Sequence, residues 1–270
     1  MGEAGGIGIF DSGIGGLTVA AAIRQALPAE RLLYFGDNAH VPYGERTAEE
    51  IQALSTAITD ALVAKGCHAI VVACNTASSA ALVALRHKYP HLPIVGMEPA
   101  VKPAVEHTRT GVVGVLATKA TVEGRALADV VERFAQGVEV IRQPCTGLAQ
   151  RIDAGQFDGP ELEALLRGWV EPMLERNIDA LVLGCTHYPL VRPLIERIAG
   201  SGVRVIEPSL AIARRLGQLL PPAAPNASGS LECWTSGEPE HFRSVLARLG
   251  LGTVVVRKGV WKSSTDLVLG

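Results

Sequence analysis

Two cysteines close near-identical runs, Ala69-Ile-Val-Val-Ala-Cys74-Asn75-Thr76 and Ala180-Leu-Val-Leu-Gly-Cys185-Thr186-His187. A thiol is an acid and its thiolate a base, so two thiols in matched settings form an acid/base pair whose roles can be exchanged. Such a pair suits a reaction that takes a proton from one face of a carbon and returns one to the other. The cysteines are offset by 185 − 74 = 111, and Gly8-Ile-Phe-Asp11-Ser12 is offset from Gly114-Val-Leu-Ala117-Thr118 by 118 − 12 = 106. The chain therefore reads as two divergent copies of one unit, and a two-fold relation between them would bring the cysteines face to face.

The elements that must hold these residues follow from hydrophobic patterning. Four small or aliphatic residues without alternation precede each cysteine, as in a strand buried on both faces. A first strand at residues 6–10 runs into Asp11-Ser12-Gly-Ile-Gly-Gly16 and a helix at 17–27, a turn that aims backbone N–H groups at a ligand. A strand at 32–36 leads to the polar loop 37–46, where open α/β sheets bind ligands, and to a helix at 47–65. A helix at 78–88 and a strand at 92–96 follow Cys74, and the prolines of segment 97–103 mark a domain crossover. The second half alternates strands at 111–116, 138–142 and 203–207, and the strand before Cys185, with helices at 122–134, 160–175, 190–199 and 209–220. A loop at 221–230, a strand at 231–235 and a helix at 240–249 close the chain. The alternation predicts doubly wound α/β domains with mainly parallel sheets and an active site in the cleft between them.

Composition narrows the class. The 270 residues are 48% hydrophobic but only 4% aromatic, which fits a soluble Ala/Val/Leu-rich α/β enzyme. The net charge of −2 and the lack of any Lys/Arg run argue against nucleic acid as a partner. No apolar run approaches the ~20 residues of a membrane span, and no signal peptide is evident, so a cytoplasmic protein is expected. Five cysteines at scattered spacings, with no C-x-x-C pair, read as reduced thiols. Cys67, Cys145 and Cys233 fit small buried hydrophobes. A dinucleotide fingerprint fails, because Thr18 stands where the third glycine belongs and Asp11 would push a carboxylate at the pyrophosphate.

Asp11-Ser12-Gly-Ile-Gly-Gly, Tyr43-Gly44, Ala-Cys74-Asn75-Thr76-Ala-Ser and Leu-Gly-Cys185-Thr186-His187-Tyr-Pro together resemble the signatures of the glutamate racemase family, in the aspartate/glutamate racemase superfamily. The resemblance runs from residue 6 to about residue 209 with the motifs in order. It implies two similar domains related by a pseudo-two-fold axis, residues 1–97 with 208–270 and residues 98–207. It implies interconversion of L- and D-glutamate without cofactor or metal, supplying D-glutamate for the cell wall. Cys74 would take the proton from D-glutamate and Cys185 from L-glutamate, with Asp11 and His187 as auxiliary acid/base groups. Asp11, Ser12, Tyr43, Gly44, Asn75, Thr76, Thr118, Thr121, Thr186 and His187 match ligand positions, although Thr118 and Thr121 equally suit helix caps. Asp153 aligns where relatives often carry Glu, and this departure keeps it outside the expected site. His187 after Cys185-Thr186, where aspartate racemases tend to have Glu, favours glutamate. A zinc site on Cys74, Cys185 and His187, a Cys74–Cys185 disulfide and an amino-acid-binding protein are the rival readings. Oligomeric state stays open, a homodimer included.

Overall fold

The structure, a computed structural model, describes residues 5–221 and 228–270, so most of the loop expected at 221–230 lies outside the described residues. In chain order come β1 (Gly6–Asp11), α1 (Leu17–Ala26), β2 (Arg31–Gly36), α2 (Ala48–Ala64), β3 (Cys67–Val72), α3 (Asn75–Lys88) and β4 (Ile94–Gly96). Next are α4 (Val101–His107), β5 (Val112–Ala117), α5 (Lys119–Glu123), α6 (Arg125–Phe134), β6 (Glu139–Pro144), α7 (Leu148–Asp153), α8 (Pro160–Glu175) and β7 (Ala180–Gly184). Last are α9 (Arg192–Ala199), β8 (Arg204–Ile206), α10 (Ser209–Leu219), β9 (Ser230–Thr235), α11 (Pro239–Arg248), β10 (Val255–Ser263) and β11 (Asp266–Leu269). Two compact units result, Met1–Met97 with Ser209–Gly270 and Glu98–Pro208, so Pro208 goes with the second unit rather than the first.

The first unit holds a seven-stranded sheet in the order β11-β10-β9-β2-β1-β3-β4. Every pairing is parallel except that of β10 with β11. All six residues of β1 are buried, as a central parallel strand covered on both faces requires. Leu33 and Phe35 of β2 pack with Phe10 against Ile51, Leu54 and Ile58 of α2. Tyr34, between them, meets Phe242 of α11 with ring centroids 5.6 Å apart, because alternate residues of a strand point to opposite faces. Helix α2 begins in a capping box, Thr47 accepting from the Glu50 N–H while Glu50 accepts from the Thr47 N–H, which satisfies two amides left open by helix geometry.

The second unit has a four-stranded parallel sheet in the order β6-β5-β7-β8. Its core joins Val113, Val115 and Ala117 of β5 and Val182 of β7 to Leu127 and Val130 of α6. Asp179, just before β7, ties down the turn before β5 by accepting from the Thr108 hydroxyl at 2.5 Å and from the N–H groups of Arg109 and Thr110 at 2.6 and 3.2 Å. Burial opposes the charge on Asp179, but these donors outweigh it and hold the carboxyl below its ordinary range.

The internal repeat extends to strand register. On β1 and β3 the partners include Ile7 with Ala69 and Phe10 with Val72. On β5 and β7 they include Val113 with Ala180 and Leu116 with Leu183. These are the same rungs shifted by 113 − 7 = 106 and 180 − 69 = 111. Ile70 with Ile94 and Leu181 with Val205 differ by 111 on both sides, 181 − 70 and 205 − 94.

Several elements depart from the sequence reading. Helix α3 starts at Asn75, three residues before the expected 78, because Cys74 itself caps it. The helix expected at 122–134 is two, α5 and α6, meeting at Gly124. The helix expected from 190 begins at Arg192 after a short 3₁₀ turn, Tyr188–Val191. Pro189 and Pro193 explain the delay, since proline lacks an N–H and is tolerated in a helix only near its start. Helix α4 accommodates Pro103 in its first turn for the same reason, although its prolines read as a plain crossover. The closing helix is followed by β10 and β11, whose alternation is obscured by Arg257, Lys258 and Gly259.

Gly16 marks where packing at the end of β1 is tightest. A Cβ on it would lie 2.7 Å from the Asp11 Cβ, 2.8 Å from the Tyr34 hydroxyl and 3.1 Å from the Ala73 Cβ. Two of these are atoms on the backbone stem that cannot swing away. Gly16→Ala is expected to cost about 1–3 kcal/mol, the range for overpacking a filled core. A urea midpoint equal to that of the parent would show that Asp11 and Ala73 yield at no cost.

Candidate active site

In the first unit, chemistry gathers just beyond the last rungs of β1 and β3. The Ala73 N–H still donates to the Phe10 carbonyl at 2.8 Å, which sets Asp11 and Cys74 at neighbouring strand ends. Cys74 is extended, and its sulfur accepts from the Ala77 N–H at 3.4 Å, the place usually held by a Ser or Asp side chain. An N–H at the positive end of a fourteen-residue helix favours a negative charge on that sulfur. The Ser12 hydroxyl lies 3.8 Å from the same sulfur.

Asp11 is fully buried, and its Oδ2 accepts from the N–H groups of Gly13 and Gly16 at 3.2 and 3.0 Å. The sequence reading gave the amides of this glycine turn to a ligand, but Asp11 takes two of them itself. Tyr43 is buried, and its hydroxyl donates to Asp37 Oδ2 at 2.8 Å. Burial first, then Asp37, and then the negative ends of Cys74 and Asp11 push the phenol well above its ordinary range. Tyr43 therefore stays a neutral donor whose hydroxyl is committed to Asp37, leaving its ring and the Tyr43–Gly44 backbone as what the turn can show a ligand. Asn75 and Thr76 occupy the first turn of α3 with buried side chains. Neither polar atom of the Asn75 amide has a hydrogen-bond partner among the described residues. A buried amide with both ends open is costly unless something polar meets it.

The second unit arranges the equivalent residues differently. Cys185 follows β7, and its sulfur lies 3.8 Å from Nδ1 of His187. The 3₁₀ turn Tyr188–Val191 follows it rather than a helix, so an imidazole stands near the sulfur in place of a capping amide. His187 is 3% exposed, and its Nε2 lies 3.3 Å from Asp153 Oδ1, forming a line of carboxylate, imidazole and thiol. Thr186, between Cys185 and His187, is buried, and so is Thr121 in α5. Thr118 caps α5, accepting from the Thr121 N–H at 3.2 Å while its own hydroxyl donates to the Thr121 hydroxyl at 3.0 Å. The capping role weighed for this pair is thus present.

Sequence reasoning passed over two groups. Asp153, set aside for its length, stands on His187. Asp37, which opens the polar loop 37–46, is a fully buried carboxylate on Tyr43. The other cysteines differ from the motif pair. Burial pushes Cys67 and Cys233 up to about 12 and Cys145 higher still, so all three remain thiols at neutral pH. Among the described residues no disulfide joins the five cysteines, and no cluster of three or more His, Cys, Asp or Glu is arranged to hold a metal. No helix among them is long and apolar enough to cross a membrane.

Comparison with known proteins bears on what these residues do. Residues 8–216 match the family model described as Asp/Glu/Hydantoin racemase. The chain is 48% identical to a glutamate racemase of Roseiflexus sp. over 250 residues, 91% of this chain and 92% of that one. Among solved structures it is similar to glutamate racemase isoform RacE1 of Bacillus anthracis, with a TM-score of 0.84 at 31% identity over 93% of this chain and 96% of that one. The Escherichia coli glutamate racemase, solved with L-glutamate and the activator UDP-MurNAc-ala, also gives a TM-score of 0.84, at 33% identity over 95% of this chain and 98% of that one. By sequence and by fold, the chain belongs to the Asp/Glu/hydantoin racemase family and, within it, to the isomerases that are glutamate racemases.

Proposed function

We propose that this racemase interconverts L- and D-glutamate by a cofactor-independent two-base mechanism, with Cys74 and Cys185 serving opposite faces of one α-carbon. The observation that carries the reading is the recurrence of a buried cysteine just past equivalent strands, β3 and β7, in two sheets that share a four-strand order, β2-β1-β3-β4 and β6-β5-β7-β8. The E. coli relative was solved with L-glutamate, which supports the substrate. From L-glutamate, the Cys185 thiolate takes the α-proton. The electron pair stays on the α-carbon, shared with its carboxylate, and the Cys74 thiol delivers a proton from the other side. D-glutamate runs the reverse course. Each turnover leaves one thiol and one thiolate with their roles exchanged, so no external acid, base or oxidant is consumed.

The neighbours divide the remaining work. Asp11 suits the ammonium group, and Asn75, Thr76, Ser12 and the Tyr43–Gly44 turn suit a carboxylate. Thr118, Thr121 and Thr186 would meet the ligand from the second unit. His187 would exchange protons with Cys185 while Asp153 fixes its orientation and supports its positive form. We assign the D-glutamate produced to peptidoglycan synthesis and the protein to the cytoplasm.

Proton bookkeeping gives the decisive test. Racemisation of either enantiomer in deuterated water should place solvent deuterium in the product, with full activity in the presence of chelator. Cys74→Ser and Cys185→Ser should each lower racemisation by at least the roughly 10²–10⁴-fold that a general acid or base contributes. Each should retain one-sided elimination on a glutamate analogue bearing a β leaving group. Near-parent racemisation by either variant would sink the two-base reading. Asp153→Asn should lower kcat/KM by less than Cys185→Ser, and equally for both enantiomers. Enantiomers have equal free energy, so the ratio of the two constants cannot change. An unchanged kcat/KM would remove Asp153 from the site. Substrate choice is a separate matter. Glutamate should exceed aspartate in kcat/KM by more than the ~10–200-fold of an apolar methylene, because shortening the chain leaves buried polar groups unmet. Comparable rates on the two would refute glutamate as the preferred substrate.

A further inference from the structure

Asp37 is fully buried in the first unit, and it has a donor for each lone-pair direction of a carboxylate. Oδ2 accepts from the Tyr43 hydroxyl at 2.8 Å and lies 2.9 Å from Nδ1 of His40. Oδ1 accepts from the Ser236 hydroxyl and from the Trp261 indole N–H, both at 2.8 Å. These donors come from three parts of the chain. His40 and Tyr43 belong to the polar loop after β2, Ser236 follows β9, and Trp261 is on β10. The surrounding contacts tie the same segments together. Ser236 also accepts from the Ala39 N–H at 2.9 Å, and Thr235 donates to the Asn38 side chain at 2.8 Å. The imidazole of His40 meets the Trp261 ring edge-on at 5.1 Å, and Phe35 meets it at 6.4 Å.

The arrangement has more than a structural consequence. A carboxylate stripped of water is retained only where its donors are complete, and losing one raises the cost of the rest. Tyr43 and Gly44 lie on the same loop that Asp37 anchors, and a loop ordered before ligand arrives costs less to order on binding. We propose that Asp37, held from the far side by Trp261 and Ser236, is a positioning residue for the Tyr43–Gly44 turn, so that the C-terminal strands are part of the substrate-binding machinery. The proposal rests on the reading of that turn as a ligand position.

The expected signature is a change in KM without one in kcat, since neither Trp261 nor Ser236 meets the reacting carbon. Trp261→Phe removes one N–H and keeps an aromatic ring. Ser236→Ala removes a second donor to the same oxygen, outside the strand, and serves if the first variant folds poorly. Each should raise KM for both enantiomers about fivefold, the factor carried by one net hydrogen bond, with kcat within about twofold of the parent. Trp234→Phe is the control. It deletes an indole donor to the Gly270 carbonyl on adjacent β9, so it should lower the urea midpoint and leave KM alone. Tyr43→Phe removes the Asp37 contact from the loop side and should match Trp261→Phe. An unchanged KM in Trp261→Phe and Ser236→Ala, with a raised KM in Tyr43→Phe, overturns the positioning role and keeps the ligand turn. An unchanged KM in all three, in an enzyme active on glutamate, overturns the positioning role. An equal rise in Trp234→Phe reduces the effect to general stability and also overturns the proposal.

Discussion

The constraint on which everything else depends is that a parallel strand buried on both faces cannot carry chemistry along its length. Each residue of β1 and β7 is enclosed, so a charged or hydrogen-bonding side chain partway along would be desolvated without a partner. The first place a polar group can stand is at the last rung or just past it, where backbone pairing ends and a turn begins. Asp11, Ser12, Cys74 and Asn75 crowd that position in one sheet, and Thr118, Cys185, Thr186 and His187 crowd it in the other. Because the rungs correspond at fixed offsets, a duplicated scaffold delivers two thiols to equivalent ends without either sheet being built for the purpose.

Equivalent backbone does not mean equivalent chemistry. Asp11 in the first unit corresponds to Ala117 in the second, and Thr76 corresponds to His187. The first cysteine is met by an amide of the helix it caps, with the Asp11 carboxylate at the neighbouring strand end. The second is met by an imidazole, itself held by a carboxylate. The prolines at 189 and 193 force this divergence, since they delay α9 and deny Cys185 a capping place. In the proposed two-base reading, the two thiols serve substrates of opposite hand, and two different supports for one functional group fit that demand.

Much of this was legible in the sequence, and the reasons are particular. Strands with four aliphatic residues and a polar terminus betray themselves without alternation, so β3 and β7 and their cysteines could be read directly. The duplication was legible because two pairs of motifs keep nearly the same offset, 106 and 111 residues. What escaped depended on contacts between distant residues. Trp261 lies 224 positions from Asp37, and no local pattern announces that an indole at one will donate to a carboxylate at the other. Asp153 could be aligned but not oriented. The start of α3 was misjudged because cysteine is not an expected cap, although the sulfur fills that role once its geometry is known.

All five cysteines are buried, so burial by itself says nothing about which of them handles protons. What separates them is the company of the sulfur. Cys67 and Cys233 sit among groups whose main effect is to exclude water, and the thiolate is penalised accordingly. Cys145 is pushed higher still by burial and by Cys185, and the weak help of Tyr188 does not offset that. Cys74 has an amide N–H aimed at it, and Cys185 has a ring nitrogen at contact distance. A buried thiol becomes useful only where a donor accompanies the loss of water, because the donor stabilises the anion that burial disfavours. Strand ends supply such donors naturally, through the first amides of a following helix or through a polar residue on a turn. A cysteine placed mid-strand, as Cys233 is, has no comparable source.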